Sequence, residues 1–104
     1  QPCSSAASDV YKRQKMDRDE ILKEAMKVIN NDRNADYGDA RENFENTAKL
    51  WSAYTGYEIG HIDVAVMMVL LKISRIRVSP DKADHWVDIC GYSALAGEIG
   101  SDGR

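Results

Sequence analysis

Cysteine is nearly absent from this chain, with only Cys3 and Cys90, far apart in sequence. That excludes both the paired spacing of a zinc site and the density of a disulfide-stapled secreted domain, and makes a reducing cytoplasm the expected compartment. Glycine and proline are also few, 7 and 2 in 104 residues, which excludes collagen-like and low-complexity character. Basic charge is not in excess: 14 Lys and Arg against 17 Asp and Glu give a net charge of -3, so the overall field repels phosphate and argues against non-specific nucleic-acid binding. The longest apolar run, Val64 to Leu71, is bounded by Asp63 and Lys72 and falls short of the roughly 20 residues that cross a bilayer, so no membrane partner is expected. Also missing are a Gly-rich phosphate loop, a Gly-x-Ser-x-Gly elbow, a His-Glu-x-x-His pair and a Cys-x-x-Cys pair, which sets those enzyme classes aside.

What is present is 43% hydrophobic and 30% charged, the make-up of one ordinary domain. Residues 1 to 15 show no helical or strand period and no apolar stretch of signal-peptide length, so they are expected to be a non-native or disordered leader. The run Ala6 to Gln14 resembles a translated sequencing-adapter tail found at the ends of gene predictions from metagenomic assemblies, with Met16 as the expected start. Removing Lys12, Arg13 and Lys15 from 14 basic residues and Asp9 from 17 acidic ones leaves 11 and 16, a net charge of -5. The single domain over 16–104 then has 89 of the 104 residues, a size that buries a limited share of its surface and often relies on a partner subunit, so a homo-oligomer is expected.

Helical period and end signals predict four helices. Asp17 with Glu20 reads as a start box for a first helix carrying Ile21, Leu22, Ala25, Met26, Val28 and Ile29 on one face and ending near Asn30 or Asn31. Asp39 with Glu42 repeats the signal for a second, whose stripe of Phe44, Thr47, Ala48, Trp51 and Tyr54 stops at Gly56. Glu45 and Lys49 on its other face are spaced for an ion pair. A third, about Ile62 to Ile76, is apolar nearly all round and is expected to be the central, most buried element. Ser79-Pro80 breaks the chain before a fourth, about Lys82 to Ile99. No window alternates as a strand does, so the expected fold is all-α, a small antiparallel bundle of four helices.

The fourth helix carries the most chemistry. Asp84, Asp88, Gly91 and Leu95 share one side, and two carboxylates one turn apart repel unless solvated or held by a cation, for which Mg²⁺, Lys72 and Arg75 are the candidates. Gly91 costs about 1 kcal/mol in mid-helix relative to Ala, which points to close approach by another helix or a ligand. Asp63 stands as an N-terminal dipole charge or a ligand on the apolar third helix; Lys72 and Arg75 either pair with Asp84 or Asp88 or meet a ligand. Glu42-x-x-Glu45 offers a second carboxylate pair for Mg²⁺ or a solvated face. In the loop before the second helix, Arg33 offers a cation for phosphate, Tyr37 a ring for base stacking and Gly38 a flexible backbone. His61 and His85 are read as a helix-start residue and a surface residue, and Cys90 as a small core residue.

Tyr37-Gly38, Glu42-Asn43-Phe44, Leu50-Trp51, Asp63-Val64, the run Leu71 to Arg75 and the run Asp84 to Tyr92, in this order, resemble a family of small tailed-phage and prophage proteins carrying a domain of unknown function. The resemblance spans roughly Ile21 to Ile99. That family is in turn distantly similar to the all-α nucleoside triphosphate pyrophosphatases, the MazG-like and dimeric dUTPase-like group. This implies Mg²⁺ held by a Glu-x-x-Glu pair on one helix and a Glu-x-x-Asp pair on the next, around a triphosphate in the host cytoplasm. Glu42 and Glu45 match the first pair; the second reads Gly60-x-x-Asp63, with Gly where the pattern has Glu. Two functions follow as expectations. One is a phage protein that binds or hydrolyses a nucleotide, with Asp63, Asp84, Asp88, Glu42 and Glu45 toward metal and Arg33, Tyr37, Lys72 and Arg75 toward the nucleotide. The other is a non-catalytic homo-oligomeric module in which Lys72, Arg75, Asp84 and Asp88 form an internal ion-pair network.

Overall fold

Asp17 and Asp39 both act as the start signals they spell. Asp17 accepts the Glu20 amide at 2.8 Å while Glu20 accepts the Asp17 amide at 3.0 Å, a complete capping box that opens α1, Arg18–Lys27. Asp39 accepts the Glu42 amide at 3.2 Å and opens α2, Ala40–Thr55, which closes on Gly56 at φ 80, a left-handed conformation that glycine adopts without a Cβ penalty. The third helix, α3, spans His61–Ile76; its N-cap is Gly60, whose amide donates to Asp63 Oδ2 at 2.8 Å. The fourth, α4, spans Ala83–Gly100 after a turn in which the Trp86 indole donates to the Pro80 carbonyl at 3.2 Å. These come from a computed structural model that describes residues 16–32 and 39–102; among them the chain is all-helical, with four α-helices and no strand. No described helix is long and apolar enough to cross a membrane. The leader expected over residues 1 to 15 lies outside the described residues.

One boundary differs from the sequence reading. The α-helical ladder of α1 ends at Lys27 and widens into a π-helical segment over Val28–Asp32. The change falls where β-branched Val28 and Ile29 give way to two asparagines, all weaker helix formers than the residues before them.

The core joins three helices: Ala40, Phe44 and Ala48 of α2, Val64 and Ala65 of α3, and Leu95 and Ile99 of α4. Phe44 is its largest fully buried side chain, 1% exposed, with its ring centroid 6.4 Å from that of Tyr92. Arg41 fastens the start of α2 to the end of α4, donating from Nη2 to the Ile99 carbonyl at 3.2 Å and pairing with Asp102 at 3.0 Å. A cation there suits the negative end of a helix. α1 packs on α4, with Ala25, Val87 and Gly91 buried.

The central, most buried helix is α4 and not α3: α4 packs on α1, the π-helical segment and α3 and buries Val87, Gly91, Leu95 and Ile99. α3 packs on α2 and α4, yet only Val64 and Ala65 are buried, while Val66, Met67, Leu70, Leu71 and Ile73 are 41–57% exposed. Two helices on one side of a cylinder leave the other side uncovered, whatever its composition. The apolar stripes of α1 and α2 are likewise wider than their contacts: Leu22, Met26 and Tyr54 are exposed.

Candidate functional site

The Asp84/Asp88 side of α4 is the side that packs inward, since Val87, Gly91, Leu95 and Ile99 are buried along it. Lys72 of α3 reaches across to Asp88, Nζ to Oδ2 at 2.8 Å, with both side chains partly shielded. Of the partners open to Lys72 and Arg75, the fold joins this one pair; Asp84 and Arg75 are both exposed, with no ion-pair partner among the described residues. Beside Asp88 lies a recess of about 80 Å³ lined by Ala25, Val28, Ile29, Gly91, Tyr92 and Leu95, among others. That is several times smaller than the roughly 300–1,000 Å³ of small-molecule sites. The close approach expected at Gly91 is real and comes from a helix: a Cβ there would stand 3.1 Å from Ile29 Cγ2.

Partial burial makes the Lys72–Asp88 pair intermediate between a surface bridge and a buried one. Lys72→Met and Asp88→Asn are each expected to cost about 1–2 kcal/mol, and the double variant about 1 kcal/mol less than their sum. Urea denaturation of the four proteins in the cycle measures this, and strict additivity would show that the pair contributes nothing to stability.

A larger space opens between α2 and the start of α3. This groove of about 600 Å³ is lined by Glu45, Ala48, Lys49, Ser52, Ile59, Gly60 and His61. Its floor is fixed by Ser52, whose hydroxyl donates to the Ile59 carbonyl at 3.2 Å and accepts the Ile59 amide at 2.9 Å, tying the α2–α3 loop to α2. His61, the helix-start residue anticipated from sequence, has its Nε2 buried without a hydrogen-bond partner among the described residues. A buried polar atom left unpaired carries a free-energy penalty of about 1–3 kcal/mol, and this one belongs to a side chain that also lines the groove. Glu45 leans back toward Arg41 at 3.9 Å, so the expected Glu45–Lys49 pair does not form and Lys49 is unpaired among the described residues. Glu42, one turn earlier on α2, is exposed.

The other named residues sit apart from both places or cannot be placed. Asp63 is exposed and engaged by the Gly60 amide. Arg33 and Tyr37, with Gly38, lie outside the described residues. His85 is half-buried rather than fully at the surface, and Cys90 is a free cysteine of intermediate exposure. Among the described residues no three His, Cys, Asp or Glu side chains are grouped so as to hold a metal ion by themselves.

A family model described as a domain of unknown function, DUF6378, matches residues 20–100, from the capping glutamate of α1 to the last residue of α4. The chain belongs to the DUF6378 family. It is similar to the Gene 55 protein of Mycobacterium phage L5, 50% identical over 76 residues that make up 72% of this chain and 49% of that protein. It is also similar to the Gene 55 protein of Mycobacterium phage D29, 42% identical over 79 residues, 76% of this chain and 52% of that one. The chain thus spans about half the length of these curated relatives. No solved structure matches it.

For this DUF6378 chain the groove residues Lys49, Ser52 and His61 are the ones sequence reasoning did not assemble. Lys49 and His61 were visible singly, as one half of an ion pair and as a helix start. Their convergence depends on the path of the loop from Gly56 to Gly60, which no period or spacing encodes.

Proposed function

We propose that this phage-family domain binds a nucleotide in the groove between α2 and the start of α3, with Mg²⁺ between its phosphates and the Glu42/Glu45 pair. The observation that carries the reading is the groove of about 600 Å³ in which Glu45, Lys49 and His61 meet, with His61 Nε2 unpartnered among the described residues. The groove is open to one side, so a ligand there would be held between α2 and the start of α3 with its other face in solvent. Mg²⁺ needs only one or two carboxylates when phosphate oxygens and water supply its remaining ligands, so a pair on one helix fits it where the described residues hold no cage of three. Lys49 and the positive end of α3 favour phosphate on the same side. Arg33 and Tyr37, from the segment before α2, are the remaining candidates for phosphate and base. The bound ion would neutralise phosphate charge and polarise a phosphoryl oxygen. With Gly60 in place of a second glutamate, binding is the activity proposed, and the bacterial host cytoplasm is its place.

Thermal unfolding of the full chain with Mg²⁺ and a panel of nucleoside triphosphates tests this. A nucleotide at about 100 times its dissociation constant adds about 2.7 kcal/mol and raises the midpoint by several degrees or more. The shift is expected to need Mg²⁺, to disappear in Glu45→Gln and His61→Gln, and to persist in Asp84→Asn. A shift untouched by the first two variants, or none with any nucleotide, would sink the reading. The second reading, a non-catalytic interaction module, is favoured by the Lys72–Asp88 pair, in which two of the candidate ligand residues satisfy each other.

A further inference from the structure

The uncovered side of α3 is apolar along most of its length, with a charged residue at each end. Asp63, Val66, Leu70, Ile73 and Arg77 follow one another in alternating steps of three and four, the spacing that keeps a stripe facing a partner helix in a coiled coil. All five are exposed, Val66 at 50%, Leu70 at 57% and Ile73 at 47%, with Met67 beside them at 41%. The backbone at Arg77 is still right-handed helical, so the register runs through it. Val64 and Ala65, and Lys72 in its pair with Asp88, occupy the opposite side, so the stripe is not the face that packs on α2 and α4.

The stripe is self-complementary in one direction only. It begins with an acid and ends with a base, and Leu70 stands midway between them in sequence. Two copies of α3 laid antiparallel about a twofold axis at Leu70 bring Asp63 opposite the partner's Arg77 and Met67 opposite the partner's Ile73, burying the apolar stretch between. A parallel pairing would set Asp63 against Asp63 and Arg77 against Arg77, the like-charge arrangement that interfaces avoid. A closed contact of one patch with itself is the commonest route to a homodimer. We infer that this side of α3 is the seam of a homodimer in which α3 lies antiparallel against α3 of a second copy. Exposed apolar stretches of this kind on otherwise polar domains mark interaction surfaces. His61 is on the far side of α3 from the seam, so the dimer leaves the α2–α3 groove open.

Sedimentation velocity of the full chain over a wide concentration range is expected to show a species of about twice 11.7 kDa. Leu70→Glu, which enters twice at the axis, is expected to weaken the dimer on the order of thirtyfold or more without loss of helical circular dichroism. Direction is read by oxidation in a Cys3→Ser, Cys90→Ser background. Leu70→Cys meets its own copy at the axis and is expected to cross-link rapidly. Val66→Cys is about 12 Å along the axis from its own copy in the antiparallel seam, beyond the roughly 7 Å that a disulfide spans between Cα atoms, and is expected not to. A monomer at every concentration would overturn the proposal and leave the face to a different chain. Equal cross-linking at both positions would overturn the antiparallel seam.

Discussion

Phe44→Ala is expected to cost about 3–5 kcal/mol, the range for removing a fully buried phenylalanine, and to lower the unfolding midpoint by more than about 10 °C. Phe44 is 1% exposed, the largest fully buried side chain in the core that joins α2, α3 and α4. Three of its core neighbours, Ala40, Ala48 and Ala65, are small side chains with little reach with which to collapse into the void, so closing it falls to Val64, Leu95 and Ile99. Against a total stability of about 5–15 kcal/mol, that loss takes a small domain close to its threshold. Phe44→Leu keeps most of the apolar volume and is expected to cost substantially less. Guanidinium denaturation of both variants checks this. An alanine variant no worse than the leucine one would mean that Phe44 is not the element on which the three helices converge.

Phe44 also marks what the sequence makes legible. Its place in the stripe of α2 follows from helical period, and the ends of that helix follow from Asp39 and Gly56, because a cap is a contact between residues three or four apart. α1, α3 and α4 begin within a residue or so of where the same local rules put them. Burial is a different kind of property. Period identifies which side of α3 is apolar, and here every side is, so composition gives no sign that Val64 is covered while Leu70 is not. The Lys72–Asp88 pair was legible as one of several possible pairings, and only the mutual placement of α3 and α4 selects it. The groove at His61 was not legible, since it depends on how the loop from Gly56 to Gly60 sets α2 against the start of α3. The stripe from Asp63 to Arg77 was present in the sequence throughout, hidden by the apolar residues around it until the structure covered one side and left the other bare.

Gly91→Val is expected to cost about 2–3 kcal/mol, and the loss comes from the join between α1 and α4 rather than from the core around Phe44. A Cβ at position 91 would stand 3.1 Å from Ile29 Cγ2, so even alanine asks Ile29 to move by a few tenths of an ångström. For alanine that strain is opposed by a gain of about 1 kcal/mol in helix propensity, and the two nearly cancel. Valine adds two methyl groups where there is no room, gives back part of that propensity through its branched Cβ, and brings the overpacking cost of about 1–3 kcal/mol. Because Ile29 belongs to the π-helical segment, the way to relieve the clash is for that segment to lift from α4, which would also open the recess beside Asp88. Ile29→Ala removes the atom that clashes and leaves a space that the valine at 91 can partly fill. The double variant is therefore expected to be at least about 1 kcal/mol more stable than the two single costs added together, as measured by urea denaturation. Simple additivity would mean that residues 29 and 91 do not touch in solution and that α1 is held to α4 by other contacts.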